Sequence, residues 1–70
     1  MMNIIIECTK MLQKNEYDFW ALFTRGIAYY EMGEYEKALC DFNEVVNIDP
    51  YCNAAYYYLG AISEKNNKNN

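Results

Sequence analysis

Residues 19–50, FWALFTRGIAYYEMGEYEKALCDFNEVVNIDP, decide the fold, because they hold two helical patterns, a glycine between them and a proline at the end. In the second pattern Tyr35, Ala38, Leu39, Phe42, Val45 and Val46 share one face, and Glu36, Lys37, Asp41, Asn43, Glu44 and Asn47 share the other. That spacing predicts an amphipathic helix covered on one side. It should stop near Ile48, because Asp49 precedes Pro50 and the residue before a proline is pushed out of the helical region. The first pattern, from Phe19 to Met32, spreads Phe19, Trp20, Leu22, Phe23, Ile27, Tyr29 and Tyr30 around most of a helix, which must therefore be covered on more than one side. Asp18 is the expected N-cap, and Gly33 the left-handed stop that folds the two helices into a tight antiparallel hairpin. Gly26 lies mid-helix, where glycine costs about 1 kcal/mol relative to alanine, so a close approach should compensate; Ala38, the smallest residue of the facing stripe, is the expected partner.

The flanks extend the pattern. Upstream, Ile4, Ile5, Cys8, Met11 and Leu12 form a stripe on a helix from about residue 3 to 14, leaving Lys10, Gln13 and Lys14 to solvent. Downstream, residues 52–65 carry Ala55, Tyr56, Leu59, Gly60 and Ile62, again with a mid-helix glycine that should be buried. No segment alternates in the manner of a strand. Gly26 and Gly60 are 34 residues apart, and the same shift carries Ala21 onto Ala55, Tyr17 onto Tyr51, Leu22 onto Tyr56, Cys8 onto Phe42, Met11 onto Val45 and Leu12 onto Val46. The reading is an all-α chain of four helices, one domain over residues 1–65 with a disordered polar tail at 66–70.

The order Leu22-x-x-Arg25-Gly26-x-x-Tyr29, Gly33-x-Tyr35-x-x-Ala38-Leu39-x-x-Phe42, Ile48-Asp49-Pro50, followed by Tyr56-x-x-Leu59-Gly60, resembles the tetratricopeptide repeat. One full repeat, about residues 19–52, stands between two half repeats. Leu22 takes the place of the usual Trp, Arg25 of the usual Leu, Val45 of Ala, Glu16 of Pro and Ser63 of the second Tyr. The resemblance implies a short right-handed solenoid in the helix order B-A-B-A, held by Gly26, Tyr29, Ala38, Phe42, Pro50, Leu59 and Gly60. It also implies a concave groove on the A helices, lined by Trp20, Phe23, Thr24, Ile27, Tyr30 and Glu31 and then by Ala54, Tyr57, Tyr58 and Ala61. Some members hold a terminal carboxylate with Lys and Asn; here Phe23 and Ile27 stand at those positions, so no such clamp is expected.

Composition narrows the function. Seventy residues make one small domain, and 53% hydrophobic with 17% aromatic residues is too apolar for a disordered acidic segment. The net charge of −4 argues against nucleic acid and membrane surfaces as partners, including a stacking role for Tyr56, Tyr57 and Tyr58. There is no histidine, the commonest general base, and Glu31, Glu34 and Glu36 read as a solvated turn, so no enzyme and no cofactor are expected. Cys8, Cys40 and Cys52 have no metal-ligand spacing and read as reduced thiols, which suits a cytoplasmic protein. Glu34 with Lys37, and Lys37 with Asp41, are spaced for weak surface ion pairs.

The expected function is protein interaction, with a peptide or protein segment in the groove. The alternative is a structural scaffold that buries its apolar surface against copies of itself. Solenoids generally need about three repeats and polar caps, so the chain either self-associates or is a remnant or fragment that depends on a partner; a homo-oligomer is expected, with Ile4 and Ile5 in the contact and the Tyr56 and Leu59 face of the last helix as the competing site.

Overall fold

The structure, a computed structural model, describes residues 2–68, with side chains through residue 66. Four helices follow one another: α1 Met2–Lys14, α2 Phe19–Glu31, α3 Tyr35–Ile48 and α4 Asn53–Lys68. No strand occurs among the described residues. α4 runs three residues past its expected end at Lys65, so part of the 66–70 tail is helical, while Asn69 and Asn70 lie outside the described residues.

Each boundary has a local cause. The Asp18 backbone is extended, and its Oδ1 accepts the Ala21 N–H at 3.1 Å to start α2. At the other end Gly33 takes φ +79°, the Gly33 N–H donates to the Tyr30 carbonyl at 3.0 Å and the Glu34 N–H to the Tyr29 carbonyl at 2.9 Å. These are the two bonds of a Schellman stop, and they turn the chain into α3 at once. α3 ends where the proline dictates: Asp49 is extended (φ −133°, ψ 94°), and its Oδ1 then accepts the Tyr51 N–H at 3.1 Å to shape the turn toward α4.

The helices pack in chain order, α1 on α2, α2 on α3 and α3 on α4. In the α2–α3 hairpin the rings of Tyr30 and Tyr35 meet near the turn, while Phe23 meets Phe42 further away, as an antiparallel pair requires. The core is Leu22, Ala38, Phe42, Val45, Ala55 and Ile62, contributed by three of the four helices. Phe42, Val45 and Ile62 are its largest fully enclosed side chains.

Five expectations are corrected. Gly26 does approach α3 closely, but not through Ala38: a β-carbon there would lie 3.0 Å from Cζ and 3.1 Å from Cε1 of Phe42. A flat ring needs the missing side chain in a way that an alanine methyl does not, and Ala38 is simply enclosed beside it. Gly60 is exposed rather than buried, with no atom within 4 Å of a β-carbon placed on it, because no described helix covers that side of α4. Ile5 is buried with Cys8 on the inner side of α1, where α1 meets α2, so it is not free for an oligomer contact; Ile4 next to it remains exposed. Asp41 leaves the polar face of α3 for the interior, for the reason given below. Pro50, grouped with the packing residues, is exposed and acts by ending α3.

The two glycines should respond oppositely. Gly26→Leu forces the Phe42 ring out of its seat and should destabilise by about 1–3 kcal/mol. Gly60→Ala meets open space and should stabilise by up to about 1 kcal/mol through helix propensity. In thermal melts of a chain this size that means shifts of several degrees in opposite directions, on the order of 4–8 °C per kcal/mol.

Candidate functional site

The groove expected on the A helices becomes a face shared by α2 and α4. Tyr58 joins the two: its ring lies 6.3 Å from Phe23 and 5.3 Å from Tyr30, both edge-on, and it stacks on Phe42 at 4.8 Å with planes 3° apart. Such contacts are worth about 0.5–1.5 kcal/mol each beyond burial, so Tyr58 fixes α4 against the hairpin as well as bordering the groove. Phe23, Ile27 and Tyr30 are likewise half-buried and packed on the core.

The most exposed aromatic side chains of this face are one on each helix. Trp20 is 68% exposed and braced edge-on by Phe19 at 5.2 Å and Phe23 at 6.3 Å; Tyr57 is 72% exposed and braced by Tyr58 at 5.5 Å. Thr24, Glu31 and Ala54 are exposed as well. Tyr30, Tyr57 and Ala61, with Glu64 and Lys65, line a shallow cleft of about 230 Å³. The sequence reading placed the first three in the groove and missed Glu64 and Lys65, which lie one helical turn beyond Ala61.

The interior holds a charged pair that helical periodicity had put outside. Arg25, on α2, donates from Nε to Asp41 Oδ2 at 2.8 Å and from Nη2 to Asp41 Oδ1 at 2.7 Å, a two-pronged pair with α3. Its Nη1 donates to Thr9 Oγ1 on α1 at 3.1 Å. One guanidinium thus ties three helices. Asp41 is only 4% exposed, and no buried side-chain polar atom among the described residues lacks a partner. The side-chain hydrogen bond to Asp41, opposed by burial, raises the Arg25 pKa above its ordinary value, so the guanidinium keeps its charge. The Lys37–Asp41 surface pair therefore does not form: Lys37 Nζ and the Arg25 Cζ each lie 5.7 Å from the centre of the Tyr29 ring instead. Burial pushes the Cys8 thiol pKa up, with nearby Arg25 opposing, which leaves it protonated and inert at neutral pH. All three cysteines are free.

Among the described residues no group of three His, Cys, Asp or Glu side chains could hold a metal ion. No helix among them is long and apolar enough to cross a membrane.

Helices packed on their chain neighbours, with a face of exposed aromatics on alternate helices, define a short helical-repeat protein. Residues 19–52 match the family model for the tetratricopeptide repeat, and the chain belongs to that family. It is 36% identical over 55 residues to FK506-binding protein-like proteins of Mus musculus and Homo sapiens, and 33% identical over the same length to that of Rattus norvegicus. Each alignment covers 79% of this chain and 16% of the relative, so the chain spans a small part of the length of the curated relatives it matches. No solved structure matches it.

The ionic link generates a double-mutant prediction. Removing one partner strands a buried charge, so Arg25→Leu alone or Asp41→Leu alone should each destabilise by about 3 kcal/mol. The double replacement should recover most of that loss, since apolar side chains can occupy the site. Urea melts of the four proteins would reveal the coupling; additive losses would show that the pair does not act as a unit.

Proposed function

We propose that the chain is a non-catalytic protein-interaction module that holds a peptide or protein segment along the α2–α4 face. The tetratricopeptide repeat generally mediates protein–protein interaction, which sets the class. The observation that carries the finer reading is the pair of braced, exposed aromatics on that face, Trp20 on α2 and Tyr57 on α4. A Trp or Tyr that neighbouring rings already hold in place loses little freedom on binding, which is how such residues become the energetic centre of an interface. On the same helix as Trp20, Phe23 and Ile27 are partly exposed apolar side chains and Thr24 an exposed hydroxyl, so the partner's contacting side chains are chiefly apolar, and a terminal carboxylate is not what anchors it. Free thiols and a net charge of −4 fit a cytoplasmic setting in which nucleic acid and membrane surfaces are not partners.

Capture from the native cell, compared between wild type and variants, tests this. Trp20→Ala and Tyr57→Ala should each weaken the same partner roughly tenfold or more, the cost of a central anchor, while circular dichroism shows the helices intact and the loss of ring contacts lowers the melting temperature by several degrees. Partners retained equally by both variants would place binding elsewhere.

A second reading, self-association, has its own observation. At the 34-residue spacing Ile4 and Met11 stand where α3 has Ala38 and Val45, yet they are 45% and 46% exposed where those two are at 0%. Met2 and Ile6 add further exposed apolar surface to α1. If this flank pairs between copies, sedimentation should show a dimer at micromolar concentration that Ile4→Glu with Met11→Glu converts to a folded monomer. A wild type that sediments as a monomer removes this reading.

A further inference from the structure

The turns before α2 and α4 are built alike. Tyr17 and Tyr51 stand 34 residues apart, and the backbone N–H of each donates at 3.1 Å to a side-chain oxygen two residues earlier, Asn15 Oδ1 in one turn and Asp49 Oδ1 in the other. Both turns lie at the end of the α2–α3 hairpin away from Gly33, since one leads into the start of α2 and the other leaves the end of α3. Each turn has a helix on either side of it in the chain, so its exposure belongs to the fold. Tyr17 is 65% exposed and Tyr51 88%, and among the described residues neither side chain makes a ring, cation or hydrogen-bond contact. We propose that this turn edge is a docking surface for an extended, arginine-bearing segment of a partner protein, whose guanidinium groups lie on the Tyr17 and Tyr51 rings.

Charge decides the chemistry of the occupant. Residues 11–18 and 45–53, which form this end of the molecule, carry the carboxylates of Glu16, Asp18 and Asp49 against the single ammonium of Lys14. Glu16 is exposed and makes no ion pair among the described residues. A negative edge with two free ring faces favours a cation and repels an acidic segment. Between the two basic side chains, the guanidinium suits the rings better than the ammonium: it is planar, stacks on an aromatic face and is more weakly hydrated. The rings are also within reach of one segment. Packed helices stand about 8–10 Å apart, so the turns that flank α2 and α3 are separated by a distance on that order. An extended chain covers it in about three residues at ~3.3 Å each, which sets the spacing of the arginines. The surface is distinct from the α2–α4 face, so it stands or falls separately from the groove reading.

The test titrates the full 70-residue protein, isotopically labelled for NMR, with two synthetic peptides of about ten residues in about 150 mM salt, so that unspecific attraction is screened. One peptide sets Arg at about every third position among Ser and Gly, and the other sets Lys at the same positions. The arginine peptide should shift the amide signals of residues 15–18 and 49–52 first, and should bind about fivefold or more tightly than the lysine peptide. Tyr17→Ser combined with Tyr51→Ser should abolish that difference while circular dichroism shows the helices intact. Glu16→Gln should weaken both peptides alike through the loss of one charge. Equal binding of the two peptides to the wild type overturns the proposal, because charge alone would then act, and so does no binding of either. A Tyr17→Ser, Tyr51→Ser protein that keeps the preference for arginine, or signal shifts centred on the α2–α4 face, overturns it as well.

Discussion

The Phe42 ring is where the helices are joined. It lies in the notch left by Gly26, meets Phe23 edge-on at 5.9 Å and stacks on Tyr58 at 4.8 Å, so that a single fully buried side chain of α3 touches α2 on one side and α4 on the other. A seven-atom side chain can do this only because one neighbour has no side chain and the other is flat. The groove depends on the same contact. Tyr58 is positioned by Phe42, Tyr57 by Tyr58, and Trp20 by Phe23, so the exposed aromatics of the α2–α4 face are extensions of the interior rather than independent decorations.

Arg25 performs a related task with charge. The helix α1 shares a smaller apolar contact with α2, through Ile5 and Cys8, and the guanidinium adds a directional link by reaching Thr9 while both oxygens of Asp41 hold it from the other side. A buried pair of this kind contributes modestly to net stability, because desolvation offsets much of the attraction. Its contribution is in geometry: a fork of fixed donors permits one relative placement of α1, α2 and α3, where an apolar contact would tolerate several.

Much of the fold was legible because it is written in local chemistry. Asp18, Gly33 and Pro50 act within a few residues of where they stand, and the structure puts the helix ends where those residues require. The 34-residue spacing of Gly26 and Gly60 identified the repeat. What escaped were the contacts between elements. Periodicity assigned Asp41 to solvent because it weighs one helix at a time, and a carboxylate on a polar stripe turns inward only if another helix supplies its cation. The partner of Gly26 was misassigned on the assumption that small residues meet small residues, whereas a void in one helix suits a large side chain in the next. Gly60 holds the same mid-helix place as Gly26 one repeat later and differs in having no described helix across from it. In the groove, the residue types and their shared face were legible, but not which were free: Tyr57 and Tyr58 are adjacent in sequence, yet one is mostly exposed and the other half-buried, a distinction set by the Phe42 ring.

The order of packing, each helix chiefly on the next in sequence, also says how the molecule assembles. Contacts are made between segments joined by turns of a few residues, so little chain must be brought together from afar and the entropy lost in closing loops is small. The α2–α3 hairpin, with its glycine stop, its buried ring and its ionic clasp, holds the densest set of those contacts and is the natural nucleus. α1 and α4 lie on its two sides, each extending the hairpin by one neighbour, in the manner of links joined to a chain from the middle outward.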